Sequence, residues 1–244
     1  MKWRVLGLGL WWMGCAGTET GNPSFDGTLG YDAYSSQPAQ VALQAAQSDA
    51  AVVVDAAWLV LGDVRFDGPS GCAETVTAHV DVPGLGAGDH AGTQAPASHA
   101  EFTSGRYCRV HLPLQPPAQP PAGAPAQLAG HSMLITGKQR GEAFRIASAL
   151  TTPVTLQASD AAGFELDDAQ AGVLLGFDVS VWLEDLRWAD APRDESGTRV
   201  IDANAPELLR AFEAHVAEGV KLFRDRDGDG LLDVERQELA HAAK

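Results

Sequence analysis

Residues 107–114 read YCRVHLPL, and this stretch decides the fold class. Cys108, Val110, Leu112 and Leu114 share one parity, and Tyr107, Arg109 and His111 share the other. A period of two places successive side chains on opposite faces of an extended chain. The stretch is therefore a strand with an apolar face for a core and a polar face for water. The same period recurs on both sides of it. Upstream, Val41 and Leu43 share a parity, and residues 51–66 make one long or two short strands with Trp58, Val60 and Val64 toward the core. Residues 75–82 alternate Val76, Ala78, Val80 and Val82 with Thr77, His79 and Asp81. Downstream come residues 131–138 through Met133 and Ile135, residues 141–149 through Phe144 and Ile146, Val154 with Leu156, and Phe164 with Leu166. Residues 172–181 carry Val173, Leu175, Phe177, Val179 and Val181 on one face, residues 182–188 turn helical, and residues 198–202 are a last short strand.

Short strands separated by turn residues predict a mainly β fold, an immunoglobulin-like antiparallel β-sandwich. Residues 83–100, mostly Gly, Ala, His and Ser, read as a loop. Residues 113–125 (PLQPPAQPPAGAP) lack the N–H groups for a ladder and read as a stiff polyproline-like connector. After residue 203 the period changes. Asn204 and Glu207 have capping-box spacing with Pro206 in the first turn, and Leu208, Phe212 and Val216 share one helix face. Gly219 ends or weakens this helix, residues 220–223 either extend it or run as a strand, and residues 235–243 read as a second short helix. The expected division is a signal at 1–14, a flexible tether at 15–38, a β-sandwich at 39–203 and a helix–loop–helix at 204–244.

The chain opens with Lys2 and Arg4, then an apolar run over residues 5–13 that is too short to span a bilayer, then Gly14-Cys15. Trp12-Met13-Gly14-Cys15 resembles a bacterial lipobox, with Trp12 where Leu is usual. Residues 16–23 (AGTETGNP) resemble the start of bacterial lipoprotein families that carry a TETGNP stretch. The resemblance implies cleavage before Cys15, lipidation of Cys15 and anchoring to a membrane. Ala16 in the next position implies outer-membrane sorting. Removing residues 1–14 takes away two cations and no acid, so the net charge of −15 becomes −15 − 2 = −17. So acidic a chain disfavours nucleic acid and anionic lipid surfaces as partners. With Cys15 carrying lipid, Cys72 and Cys108 remain of the three cysteines, and an even pair in an exported chain reads as one disulfide.

Residues 225–238 (DRDGDGLLDVERQE) carry the most specific chemistry. Asp225, Asp227 and Asp229 alternate, Gly230 allows a sharp turn, Leu231 offers its carbonyl, and Asp233 acts directly or through water. A hard cation such as Ca²⁺ needs six to eight oxygens at this kind of spacing. The run resembles EF-hand, dockerin and thrombospondin type 3 calcium loops over about twelve residues, which implies Ca²⁺ as the bound ion. It departs from the EF-hand at position 12, which is Arg236, leaving Glu235 or Glu238 to supply the closing carboxylate.

The sequence contains no Gly-x-Ser-x-Gly, His-Glu-x-x-His, P-loop or Gly-x-Gly-x-x-Gly motif. The carboxylate pairs Glu165/Asp167 and Glu184/Asp185 read as solvated faces. The expected function is a non-enzymatic, membrane-anchored surface lipoprotein, a calcium-stabilised binding, adhesion or structural module with a protein or glycan partner. A copper carrier using His79, His90, His99 and His111 is the alternative, although no two share a ligand spacing. A hydrolase with an unrecognised site is the third.

Overall fold

The computed structural model describes residues 22–43, 51–68, 72, 79–84, 86–89, 97–170, 172–226, 232 and 237–242. The protein is mainly β. Its strands are β1 (Ser24–Tyr34), β2 (Val41–Leu43), β3 (Val52–Leu61), β4 (Val64–Asp67), β5 (His79–Val82), β6 (Gly86–Asp89), β7 (Ala97–Thr103), β8 (Gly105–Tyr107), β9 (Arg109–Leu112), β10 (Met133–Gln139), β11 (Glu142–Ser148), β12 (Val154–Ala158), β13 (Phe164–Leu166), β14 (Gly172–Asp178), β15 (Arg199–Ile201), β16 (Val220–Arg224) and β17 (Glu238–Ala242). Two α-helices accompany them, α1 (Val179–Trp182) and α2 (Pro206–Val216).

One sheet runs β5-β4-β9-β12-β17-β16-β14-β1-β7, and its end strands β5 and β7 come within 8 Å of each other, so it curls toward closure. A second sheet runs β15-β11-β10-β3-β2 with β6 also on β3, and β13 pairs β8 separately. Apolar faces of both large sheets meet in one core, with Leu29, Phe66, Val110, Leu156 and Leu175 from the first and Val54, Leu59, Ile135, Phe144 and Ile146 from the second. Most ladders are antiparallel. The exceptions are β1–β14, β2–β3 and β11–β15, which are parallel.

Several expectations change. Part of the expected tether is β1, an interior strand between β14 and β7. Its Gly, Thr and Asp content reads as linker, yet Phe25, Leu29, Tyr31 and Ala33 bury one parity. The expected loop at 83–100 contributes β6, which pairs with β3, and the start of β7, which pairs with β1, both built from residues of low β propensity that tertiary pairing overrides. The opening stretch breaks at Cys108 into β8 and β9, so Tyr107 is fully buried rather than on a polar face. It packs near Phe66, Phe102 and Phe164, and its hydroxyl donates to the Thr103 carbonyl at 2.6 Å.

In β3 the apolar faces are Val52 and Val54, then Ala57, Leu59 and Leu61. The β10 ladder pairs Thr136 with Ala56 and Gly137 with Val54, leaving Asp55 as an extra residue. That bulge shifts the phase, so Trp58 and Val60 face outward. There they pack with Leu128, Leu134, Ala147 and Ala124, beneath the end of the proline-rich stretch. A Cβ on Gly137 would lie 2.1 Å from the Val53 carbonyl oxygen.

The C-terminal region is not a helix–loop–helix unit. Helix α2 forms as expected with Leu208, Phe212 and Val216 buried and Pro206 in its first turn. Its N-cap is Ala205 with no side-chain cap, so Asn204 makes no capping box, and the Asn204 N–H instead donates to Asp202 Oδ1 at 2.8 Å. Residues 220–224 are β16. Residues 238–242, expected to be helical, are β17, because pairing with β16 and β12 overrides the helix propensity of Glu, Leu and Ala. Both strands belong to the large sheet, so residues 204–244 do not stand apart from 39–203.

Candidate functional site

The acidic run begins as β16 ends. The Arg224 N–H donates to the Gln237 carbonyl at 2.9 Å, closing a hairpin with residues 225–236 between its strands. Asp225 is only 4% exposed, and its N–H donates to the Gly172 carbonyl on β14 at 3.2 Å. Beside it, Arg224 Nη2 donates to the Glu165 carbonyl at 2.8 Å. The charge of Asp167 acts on the same guanidinium, and Asp167 Oδ1 is buried with no hydrogen-bond partner among the described residues.

Of the remaining expected ligands, Asp227, Asp229, Leu231, Asp233 and Glu235 lie outside the described residues, as do Gly230 and Arg236. Glu238 is described, and its carboxylate is engaged elsewhere. Oε2 accepts from Lys221 Nζ at 2.9 Å, and Oε1 lies 2.9 Å from His241 Nδ1 and 3.3 Å from Ser159 Oγ, which donates to it. Burial pushes the Glu238 carboxyl up, but Lys221 and then His241 outweigh it and hold the group below the usual glutamate range. Glu238 is thus a sheet residue held by Lys221 and His241. A cleft of about 900 Å³ opens beside Glu238, with Asp178, Glu184, Glu218, Lys221 and His241 among its lining residues. Asp178 caps α1 by accepting from the Ser180 N–H, and it also accepts from the Ser36 N–H.

The predicted disulfide is present. Cys72 and Cys108 are bonded with Cα atoms 5.3 Å apart. Closing a loop of this length contributes on the order of 4 kcal/mol in the chain-entropy account. Cys15 and the lipobox lie outside the described residues. Among the described residues no helix is long and apolar enough to cross a membrane, and no three His, Cys, Asp or Glu side chains converge as a metal would require. His99 contacts Thr28 Oγ1 at 3.4 Å on β1, His79 pairs with Asp81 at 3.5 Å, and His90 lies outside the described residues.

A second polar centre was not singled out from the sequence. On the outer face of β4, β9 and β12 the ladder sets Arg65 opposite His111, Asp67 opposite Arg109, and His111 opposite Thr155. Asp67 is 3% exposed. Its Oδ1 accepts from Arg65 Nε at 2.9 Å, and its Oδ2 lies 3.1 Å from Arg109 Nε and 2.9 Å from His111 Nε2. Thr155 Oγ1 lies 3.1 Å from His111 Nδ1 and fixes the ring from the far side. Burial pushes the Asp67 carboxyl up, and the contacts with His111 and Arg65 more than reverse this, so it stays below the usual aspartate range. The hydroxyl–imidazole–carboxylate order resembles a hydrolytic relay. The guanidiniums on both Asp67 oxygens, however, already neutralise the charge such a relay would use. The signal in the sequence is a pair of charged i, i+2 couples, Arg65/Asp67 and Arg109/His111, on the polar parity of two strands.

No family model, curated protein or solved structure matches this chain.

Proposed function

We propose that this chain is an exported, lipid-anchored, non-enzymatic binding module whose β16–β17 hairpin loop closes on Ca²⁺. The reading is carried by one observation: the acidic run joins two interior strands of the main sheet, and its first carboxylate, Asp225, is buried against β14. Asp225, Asp227, Asp229 and Asp233 repel one another without a cation, and that repulsion falls on a connection between interior strands. A bound Ca²⁺ converts it into attraction. The disulfide supports export, since such bonds persist in oxidising compartments. The lipobox at Cys15 supplies the anchor, and an accessible sheet face would meet a protein or glycan partner.

Calorimetric titration of the mature chain tests the ion. The expected Kd is roughly 10⁻⁴–10⁻³ M, with Mg²⁺ weaker because it demands a tighter octahedron and keeps its waters. At about 1 mM Ca²⁺ and a Kd of about 0.1 mM, the gain in stability is about 1.4 kcal/mol. Asp229→Ala and Glu235→Gln should weaken binding while Glu238→Gln spares it. No response of the melt to several millimolar Ca²⁺, or a response to micromolar Cu²⁺ alone, ends the calcium reading. Membrane fractionation tests the anchor: Cys15→Ser should move the protein to the soluble fraction, and continued membrane association removes lipidation from the account.

A further inference from the structure

Two arginines flank Asp67, one at each carboxylate oxygen: Arg65 Nε donates to Oδ1 at 2.9 Å, and Arg109 Nε forms an ion pair with Oδ2 at 3.1 Å. Each guanidinium carries five N–H donors, and each meets Asp67 through Nε. The terminal amino groups of Arg65 and Arg109 have no hydrogen-bond partner among the described residues. Those ends reach solvent, since the two side chains are 45% and 32% exposed. Asp81 stands opposite Arg65 on β5 and is exposed, so this face carries two guanidiniums and two carboxylates, and what it offers an anion is the open guanidinium ends and not a net positive charge.

Asp67 fixes both guanidiniums at adjacent rungs of the sheet, and it is itself nearly unexposed. The rotamer entropy of two long side chains is thereby spent before any ligand arrives. An end-on guanidinium offers two parallel N–H donors, a fork that matches two oxygens of a carboxylate, phosphate or sulfate. We propose that Arg65 and Arg109, braced by Asp67, form a binding site for an oxyanion group on the outer face of β4 and β9. The site is independent of the calcium loop and of the lipid anchor, and it survives the failure of either.

The test uses the full mature chain at constant ionic strength, with chloride as the balancing ion. Inorganic phosphate, sulfate and glucuronate are titrated in turn, and the Nε–Hε resonances of Arg65 and Arg109 are followed by NMR together with the backbone amides of β4 and β9, which report on the Lys variants as well. At least one anion should give saturable shifts at both arginines. A preference for phosphate and sulfate assigns a tetrahedral ligand, and a preference for glucuronate assigns a carboxylate. Both support the site. Arg65→Lys with Arg109→Lys keeps a positive partner for Asp67 but removes the forks, and it should raise the apparent Kd at least tenfold. Should that double variant fail to fold, the two single Lys variants should each weaken binding about threefold or more. Shifts that match those with chloride, or binding unchanged in the Lys variants, overturn the proposal.

Discussion

Gly219 follows α2 at a point where a side chain has nowhere to go. A Cβ there would lie 2.4 Å from Trp182 Nε1 and 2.9 Å from the Asp178 carbonyl oxygen. Trp182 is fully buried and its indole N–H donates to the Val216 carbonyl at 3.0 Å, so the ring cannot retreat. Gly219→Ala should destabilise the protein by about 1–3 kcal/mol through overpacking, read as a lower denaturant midpoint. An unchanged midpoint would show that the ring moves freely. Asp67 is held below the ordinary aspartate value of 3.8, so the folded state favours its charged form. Its contribution is present in full above that value and is lost as pH falls through the lower folded value. At neutral pH Asp67→Asn should therefore be less stable than the parent, and the gap should narrow in acid denaturation below about pH 4. A constant gap would mean that the carboxylate charge does not matter. Residues of this kind are only half legible. The polar parity of Arg65, Asp67, Arg109 and His111 can be read from the sequence. Their meeting around one carboxylate depends on β4 pairing with β9, which no local pattern encodes.

Elements whose apolar residues alternate without interruption were the readable ones. Residues 133–139 and 172–177 carry Met133 and Ile135, and Val173, Leu175 and Phe177, on the parity that enters the main core, and they fold as β10 and β14, with Leu134 and Leu174 buried in smaller clusters on the opposite face. Strand β1 hides behind Gly27, Thr28, Gly30 and Asp32, which belong to turns in most settings. Here parallel pairing with β14 supplies the order that composition withholds. Strand β17 misleads in the other direction, since Glu238, Leu239 and Ala240 favour a helix until two neighbouring strands claim their backbone groups. The acidic run stands in the sequence, but its setting between two strands does not, since residues 238–242 read as helix and residues 220–223 are open to either reading. Helix α2 offers a direct check on capping. Asn204 makes no side-chain cap, so Asn204→Ala should change stability by no more than about 0.5 kcal/mol. A loss of about 1 kcal/mol, typical of a removed N-cap, would restore the capping box.

Over the whole molecule, two tyrosines buried in the core set an alkaline limit. Burial pushes the phenols of Tyr31 and Tyr107 from 10.0 up to about 12, and the hydrogen bonds of Tyr31 with Ser98 and of Tyr107 to the Thr103 carbonyl do not reverse this. A raised folded value means that the contribution is complete below pH 10 and is lost as pH rises toward 12. Each group accounts for on the order of 3 kcal/mol across that interval. Stability measured by denaturant melts should fall steeply between pH 10 and 12, and Tyr31→Phe should flatten the fall. A slope unaffected by that change would place the alkaline transition elsewhere. The pairing of β1 with β14 bears on how the molecule is made. Thr28 lies opposite Gly172, so the two residues are 172 − 28 = 144 positions apart. A chain made N-terminus first delivers β1 early and its partner late. Loops of this size close slowly, so during that interval Phe25, Leu29 and Tyr31 stand on a strand with one edge unpaired. The rate of chain synthesis and the shielding of a nascent strand therefore enter the yield of this protein, and a circular permutant that places β1 directly before β14 should refold faster than the parent.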